Sequence, residues 1–195
     1  MRIGILGGSF NLAHAGHIHI SEIALKYLKL DAIWWMVTPK NPLKSDNDLV
    51  SMEKRIEYAR NLLDNHPKMV VTDMEKEFET GNSYKSIKKL NKRYPNTRFA
   101  FITGMDNAHN FHLWHNWRGL LGEICMIHIA RNTEQGLVRN SPARMLTSQK
   151  QVILNGAGKL PLEANTTYWL LKNSILDISS TEIREFALIK DKKSI

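Results

Sequence analysis

The 195-residue sequence contains only one cysteine and no long apolar run. Cys125 alone cannot form an intramolecular disulfide, which excludes a disulfide-stabilised scaffold and fits a reducing compartment. No apolar segment approaches the ~20 residues that a membrane-spanning helix needs. Gly4, Gly7 and Gly8 interrupt the apolar N-terminus, so we expect no signal peptide there. The sequence therefore predicts a cytoplasmic protein without a membrane span.

Extremes of composition are also missing. Hydrophobic residues make up 43% of the chain and charged residues 24%, which excludes collagen, coiled coil and disorder as descriptions of the whole. Lys and Arg exceed Asp and Glu by 27 to 19, a net charge of +8. This excess indicates phosphate-bearing partners, whether nucleic acid, anionic lipid or small nucleotides, and does not choose among them. The length predicts one domain over residues 1–195, with a frayed charged tail at 187–195.

Short apolar runs alternate with segments of helical periodicity. The predicted strands are Arg2–Leu6, Ala32–Val37, Met69–Thr72, Phe99–Ile102, Cys125–Ala130 and a last one within Trp169–Ile178. The predicted helices are Gly16–Lys29, one starting at Ser51, Ser83–Tyr94 and one starting at Ser179, with 132–150 read as loop and some helix. Strand, helix and strand in this order predict an α/β fold with a doubly wound parallel sheet. Such a sheet binds ligands at the carboxyl ends of its strands.

The strongest local pattern, GGSFNLAHAGH at 7–17, lies between the first predicted strand and the first predicted helix. Gly7 and Gly8 let the backbone approach a ligand closely, and the N–H groups that start the helix attract an anion. His14 and His17 can both donate to phosphate oxygens. The alternative interpretation is a glycine-rich turn with a surface histidine near a helix start, which is much less common for the whole string.

A second pattern lies near the other end of the chain. Ser179 and Glu182 have the spacing of a capping box, and most such boxes only start a helix. A functional interpretation adds the hydroxyls of Ser180 and Thr181 and the guanidinium of Arg184 around a phosphate. The two patterns together indicate binding of a polyphosphate.

These two strings resemble the motifs of the nucleotidyltransferase superfamily that carries a His-x-Gly-His box. The first string has its Gly-Gly-Ser-Phe-x-x-x-His-x-Gly-His, and the second its Ile-Ser-Ser-Thr-x-Ile-Arg. Within that superfamily the sequence is most similar to bacterial nicotinate-nucleotide adenylyltransferases, from Arg2 to about Phe186. Further similarity lies in TPKNPLK at 38–44, FITGMDN at 101–107, FHLWHNW at 111–117 and Arg131.

The resemblance implies a Rossmann-like nucleotidyltransferase fold and a reaction in NAD biosynthesis. In that reaction ATP and nicotinate mononucleotide give nicotinate adenine dinucleotide and pyrophosphate. Mg²⁺ is expected to accompany ATP, and neither nucleic acid nor a membrane is an expected partner. No dedicated carboxylate cage for a metal is visible in the sequence.

The resemblance also implies roles for individual residues. His14, His17 and Lys44 are the implied catalytic residues, which hold the phosphates and the developing charge. The implied ATP-binding residues are Gly7, Gly8, Ser9, Phe10, Gly16, Gly104, Asp106, Ser179, Ser180, Thr181 and Arg184. The implied residues for the second substrate are Ser83, Tyr84, Lys85, Trp114 and Arg131, with Trp114 stacked on the pyridine ring. Lys85 stands where the family has Thr, and Asn11-Leu12 where it has Asp-Pro.

Three other functions compete with this one. A phosphopantetheine adenylyltransferase shares the His box, but the Trp-rich segment after Asp106 argues against it. An NAD-dependent dehydrogenase needs Gly-x-Gly-x-x-Gly, which fails because Ser9 and Leu12 occupy two of the glycine positions. A basic nucleic-acid-binding module is supported by charge alone and by no recognised motif.

Several single residues have a structural interpretation as well. Asp106 after a strand is a plausible helix N-cap, and Trp114 and Trp117 at this spacing are typical of a core. His109, His112 and His115 recur every three residues, which drifts around a helix and does not favour a metal site.

Overall fold

The computed structural model describes residues 1–39, 50–130 and 141–171. The strands in these ranges are β1 Arg2–Gly8, β2 Ala32–Val37, β3 Met69–Thr72, β4 Arg98–Gly104, β5 Cys125–Ile129, β6 Lys150–Leu154 and β7 Thr166–Leu170. The α-helices are α1 Ala15–Leu28, α2 Met52–Leu63, α3 Met74–Glu77, α4 Ser83–Arg93, α5 Met105–Asn110 and α6 Trp117–Glu123. Two 3₁₀ turns lie at Phe111–Leu113 and Pro142–Met145.

The strands form one seven-stranded sheet in the order β3-β2-β1-β4-β5-β7-β6. Every neighbouring pair is parallel. The chain builds outward from β1 through β2 to β3, and then returns to place β4 on the other side of β1. The connections that leave β1 and β4 therefore diverge, which opens a crevice at the carboxyl ends of these two strands. The predicted parallel α/β sheet is confirmed.

Capping residues explain where the predicted helices begin. Ser51 caps α2 by accepting a hydrogen bond from the Lys54 N–H at 3.4 Å, and Asn82 caps α4 by accepting from the Lys85 N–H at 3.2 Å. The prediction for α1 is confirmed to within one residue at each end. None of the helices within the described ranges has the length and apolar character needed to cross a bilayer.

Two predictions near the end of the sheet were wrong or displaced. We predicted loop with some helix over 132–150 and no strand between there and Trp169, whereas β6 begins at Lys150 as an edge strand in which Lys150 and Gln151 precede the apolar Val152–Leu154. β7 begins at Thr166, three residues before the predicted start at Trp169. The start of this strand was not predicted because Thr166 and Thr167 are polar. The Thr167 hydroxyl is nevertheless buried, because it donates to Gln149 Oε1 at 3.1 Å. Residues 172–178 of the predicted strand lie outside the described ranges.

Each face of the sheet packs against its own layer of side chains. One apolar cluster joins the sheet to α1 and α2 through residues such as Leu28, Trp35 and Ala59. The other joins the opposite face to α4 and α6 through Phe101, Leu90 and Leu120 among others. Apolar burial on both faces explains why the central strands are continuous apolar runs and not alternating ones.

Gly4 lies in β1 where the first apolar cluster leaves no room for a side chain. A Cβ atom there would lie 2.5 Å from the Cδ1 atoms of both Ile102 and Ile33. We expect Gly4→Ala to lower the free energy of unfolding by about 1–3 kcal/mol, the usual cost of overpacking a core. Urea denaturation measures the change. Gly122→Ala is the matched control, because no atom lies within 4 Å of a Cβ in that helical position, and an equal loss in both variants would contradict the explanation.

Candidate active site

Four of the predicted ATP-binding residues lie at the crevice between β1 and β4. Gly7 and Gly8 end β1, and Gly104 ends β4 and is the N-cap residue of α5. Leu6 pairs with Ile102, so the two strands end side by side. Asp106 follows in the first turn of α5, where its side chain is exposed. The fold thus brings these residues to the position that the sequence predicts for a nucleotide.

His14 and His17 begin α1 and cap it through their own side chains. His14 Nδ1 accepts a hydrogen bond from the Gly16 N–H at 3.1 Å, and His17 Nδ1 accepts from the His14 N–H at 3.3 Å. Both bonds belong to a capping box in which histidines replace the usual Ser and Glu. The two ring centroids lie 4.0 Å apart. The His-x-Gly-His string is therefore both a helix start and a pair of adjacent imidazoles.

The capping bonds determine which ring nitrogens carry hydrogen. A nitrogen that accepts a backbone N–H bond has no hydrogen of its own, so the neutral rings of His14 and His17 are protonated on Nε2. Each ring then presents an Nε2–H donor on the side away from the helix backbone. Two such donors at the positive end of a helix dipole suit an oxyanion. Gly16, the second residue of α1, is buried beneath them.

Phe10 is an anchor of the glycine-rich loop. Its side chain is 2% exposed and stacks on Trp35 with ring centroids 5.1 Å apart. Its φ of 47° lies in the left-handed region, which costs a non-glycine residue energy. Such a conformation persists only where the surrounding residues fix it. The sequence predicts that Phe10 binds ATP, and the structure leaves only its backbone for such a contact.

Gly7 connects the loop to the second apolar cluster. A Cβ atom at Gly7 would lie 2.7 Å from Cζ of Phe101. Phe101 in turn meets Trp114 edge to face, with centroids 5.9 Å apart. Trp114 is half-buried and also touches Phe111, at 5.3 Å between centroids. The ring predicted to stack on the pyridine is therefore held by aromatic neighbours on one side and reaches the surface on the other.

The segment Ser83–Lys85 forms the first turn of α4. The Lys85 N–H already donates to Asn82 Oδ1, so it is not available to a ligand while the cap is intact. The Lys85 side chain is exposed, and Tyr84 packs against the same apolar cluster as Trp114. The N–H groups of Ser83 and Tyr84 and the Lys85 ammonium are then the donors that this turn offers.

Two buried charged residues at this end of the sheet escape prediction from the sequence. Arg55 is 1% exposed, and within the described part of the chain its guanidinium donates only to backbone carbonyls. Glu75, also 1% exposed, accepts from the Ser86 hydroxyl at 2.8 Å through Oε1, while its Oε2 has no hydrogen-bond partner among the described residues. Burial raises the pKa of the Glu75 carboxyl, while the hydrogen bond from Ser86 opposes the rise. One signal was present, because Arg55 occupies the apolar face of α2 next to Ile56.

A buried polar pair, His128 and Thr103, supports the end of β4. His128 on β5 bonds the Thr103 hydroxyl through Nδ1 at 2.6 Å and packs on Trp169 with centroids 4.6 Å apart. Burial lowers the pKa of His128 to about 3, so the ring is neutral at physiological pH. Thr103 immediately precedes Gly104, so this contact helps to fix the strand end that faces the crevice.

The remaining predicted site residues lie outside the described ranges. They are Lys44, Arg131, Ser179, Ser180, Thr181 and Arg184. Within the described ranges, no three His, Cys, Asp or Glu side chains converge in a group that would hold a metal ion.

A cleft of about 610 Å³ lies at the opposite end of the strands, where β1 and β4 begin. Its lining includes Arg2 and Arg98 at the amino ends of β1 and β4, together with Glu123 and Glu163. It contains none of the predicted site residues. Doubly wound sheets bind ligands at the carboxyl ends of their strands. We therefore place the active site at the crevice between β1 and β4 and not in this cleft.

Comparisons with known proteins show the family of the chain. The model of the cytidylyltransferase-like family matches residues 5–186. A relative from Ruegeria sp. (strain TM1040), named "Probable nicotinate-nucleotide adenylyltransferase", is 39% identical over 95% of this chain and 97% of its own. A relative of the same name from Agrobacterium fabrum is 35% identical over 94% of this chain and 98% of its own.

Solved structures share the fold. The Plasmodium falciparum nicotinic acid mononucleotide adenylyltransferase complexed with NaAD superposes with a TM-score of 0.69 at 20% identity, over 95% of this chain and 83% of that one. A similar match is found to the same enzyme complexed with APC, at 19% identity. With this fold, the histidine pair at the crevice and full-length relatives above 30% identity, the chain belongs to the nicotinate-nucleotide adenylyltransferases of the cytidylyltransferase-like family.

Proposed function

We propose that this protein transfers the adenylyl group of MgATP to nicotinate mononucleotide. The products are nicotinate adenine dinucleotide and pyrophosphate, as the resemblance implies. The observation that carries the proposal is the position of His14 and His17, which begin α1 directly after the glycine-rich loop at the carboxyl end of β1. Full-length relatives named for this activity support the choice of substrate.

The chemistry requires positioning and charge stabilisation more than proton transfer. A phosphate oxygen of the mononucleotide attacks the α-phosphorus of ATP in line, and the bond from that phosphorus to the bridging oxygen breaks to release pyrophosphate. Since this nucleophile is already anionic, neither a general base nor a covalent intermediate is needed. His14 and His17 donate to phosphoryl oxygens whose charge grows in the transition state. Mg²⁺ enters with ATP as part of the substrate.

The other proposed contacts divide between the two substrates. Backbone groups of Gly7, Gly8, Ser9, Phe10, Gly16 and Gly104 and the Asp106 carboxylate hold the adenylate. In the family motif near the C-terminus, Ser179, Ser180, Thr181 and Arg184 hold the phosphates that leave. Lys44 assists at the triphosphate, and Arg131 together with Ser83, Tyr84, Lys85 and Trp114 binds the pyridine nucleotide.

The direct test is pyrophosphate release from ATP with a panel of acceptors. We expect release with nicotinate mononucleotide and none above background with phosphopantetheine. Rapid turnover of phosphopantetheine would assign the protein to the competing branch of the superfamily. Lack of release with every acceptor, from a protein that is folded by circular dichroism, would contradict adenylyl transfer itself.

The pyridine carboxylate should distinguish the acid from the amide substrate. If the α4 start binds this group, nicotinamide mononucleotide presents an N–H₂ to groups that are themselves donors. Mispairing of this kind costs about 1–3 kcal/mol per buried group, so we expect a preference for the acid of roughly 10- to 100-fold in kcat/KM. The measurement compares both acceptors at saturating ATP.

Two variants separate the contributions to this preference. Trp114→Ala should weaken both acceptors without much change in their ratio, because the ring stacks on either pyridine. Lys85→Met should lower the ratio if the ammonium binds the carboxylate, whereas Lys92→Met, with an exposed side chain in the last turn of the same helix, is the control. Equal kcat/KM for the acid and the amide would mean that the pocket is elsewhere.

A further inference from the structure

Arg55 is a buried cation whose side-chain hydrogen bonds, within the described part of the chain, go to backbone carbonyls. Its Nη1 donates to the carbonyls of Ser9 and, at 2.9 Å, of Thr38, which directly follow β1 and β2. Its Nη2 donates to the Pro39 carbonyl at 2.9 Å, whereas the Val50 carbonyl, which accepts from its Nε at 2.8 Å, precedes α2. One side chain thus joins the glycine-rich loop to the end of the neighbouring strand.

Among the residues that the structure describes, no carboxylate pairs with this guanidinium. Within the described ranges, the ion pairs are Lys76–Glu53 and Arg93–Glu77, and neither includes Arg55. Glu53 lies on the same helix and acts on Arg55 from a distance, but its side chain is 69% exposed and bound to Lys76. A buried charge without a counter-ion is costly, and it is screened much less by salt than a surface charge. A polyanion bound at the adjacent crevice would provide the missing negative charge.

The contact with Ser9 also holds a strained turn. The next residue, Phe10, has a φ of 47°, and residues in this region persist only where neighbours fix them. Here the Phe10 ring is fixed by Trp35, and the carbonyl that precedes Phe10 is fixed by Arg55. Removal of the guanidinium would release one of the two anchors. The N–H groups of this turn would then lose their fixed direction.

We propose that Arg55 is a positioning residue for the phosphates of ATP, which holds the Ser9–Phe10 turn and places a fixed positive charge beneath the crevice. The inference rests on the proposed function, because it needs a polyphosphate in that crevice. It does not require Arg55 to touch the nucleotide. Its hydrogen bonds to four backbone carbonyls hold the guanidinium in one position.

The test compares Arg55→Met, Arg55→Lys and Arg60→Met. Arg60 lies on the same helix with an exposed side chain, so its replacement makes the same change in net charge at the surface. Calorimetry gives the dissociation constants of ATP and of AMP, and pyrophosphate release gives kcat. For Arg55→Met we expect ATP binding to weaken about 30-fold and AMP binding by less than about threefold, since the field acts most strongly on the polyphosphate. Arg60→Met should change neither by more than about twofold.

Arg55→Lys keeps the charge but loses the planar fork that reaches several carbonyls. We expect it to retain the preference for ATP over AMP while kcat falls about tenfold, because a shift of the turn misplaces the reacting groups. If Arg55→Met does not fold, this variant decides the question alone. Wild-type kcat in Arg55→Lys, or equal weakening of ATP and AMP in Arg55→Met, would overturn the inference. Failure of the wild-type protein to bind ATP would instead count against the proposed function.

Discussion

Replacement of His17 by Ala is expected to lower kcat/KM by about 10³-fold while the protein remains folded. The ring accepts the His14 N–H through Nδ1, so the hydrogen of the neutral ring is on Nε2, which we propose donates to a phosphoryl oxygen. A donor aimed at developing charge in a site of this kind is worth about 10²–10³-fold in rate, and the loss of its neighbour's orientation adds to this. Steady-state pyrophosphate release, with circular dichroism on the same sample, measures the effect.

The matched control for His17 is Gln. Glutamine is a common residue at this position of a capping box, and it can accept the same backbone N–H. If capping were the whole role of His17, His17→Gln would restore wild-type turnover. A folded His17→Ala variant that keeps more than about a third of wild-type kcat/KM, under ~0.7 kcal/mol of transition-state stabilisation, would contradict the catalytic assignment.

His14→Asn should separate helix capping from catalysis within one side chain. Asn is among the best N-cap residues, and its Oδ1 takes the place of His14 Nδ1 as acceptor for the start of α1. Its shorter amide does not reach the position of Nε2. We therefore expect nearly unchanged thermal stability and a loss of about 10²-fold in kcat/KM.

His14→Ala removes the cap and the donor together. It should lose about as much activity as His14→Asn and about 1 kcal/mol of stability besides. Differential scanning calorimetry and pyrophosphate release on both variants test this separation. Wild-type activity in His14→Asn, with activity lost only in His14→Ala, would show that His14 acts through the helix start alone.

Much of the fold was predictable because its central strands are buried on both faces. β2, β4 and β5 contain continuous apolar runs, and a strand of that kind is visible in a sequence without any knowledge of its neighbours. β6 is an edge strand with Lys150 and Gln151, and β7 begins with two threonines whose partners come from other segments. These two strands depend on tertiary contacts, which a local pattern does not contain.

Part of the candidate site was likewise predictable from the sequence and part was not. The glycines and histidines of the first loop were predictable because a helix start after a strand attracts anions whatever the rest of the chain does. Arg55 and Glu75 were not, because a single Arg or Glu in a helix is usually exposed. Their burial follows from carbonyls and hydroxyls supplied by Ser9, Thr38 and Ser86, which lie far from them in the sequence. Phe10 was identified as part of the loop, but its role as a core anchor depends on Trp35.

The central place of β1 has a consequence for biosynthesis. β1 leaves the ribosome before β2 and pairs with it soon afterwards. The other edge of β1 stays unpaired until β4 is made, because Arg2 lies opposite Arg98. Contacts between residues so far apart slow folding. Until β4 is made, the nascent chain carries an unpaired apolar edge in the middle of its future sheet, which is a template for aggregation. Fragments that end before Arg98 should therefore accumulate as insoluble protein or be bound by chaperones, whereas chains that extend past β5 have both edges of β1 and β4 covered.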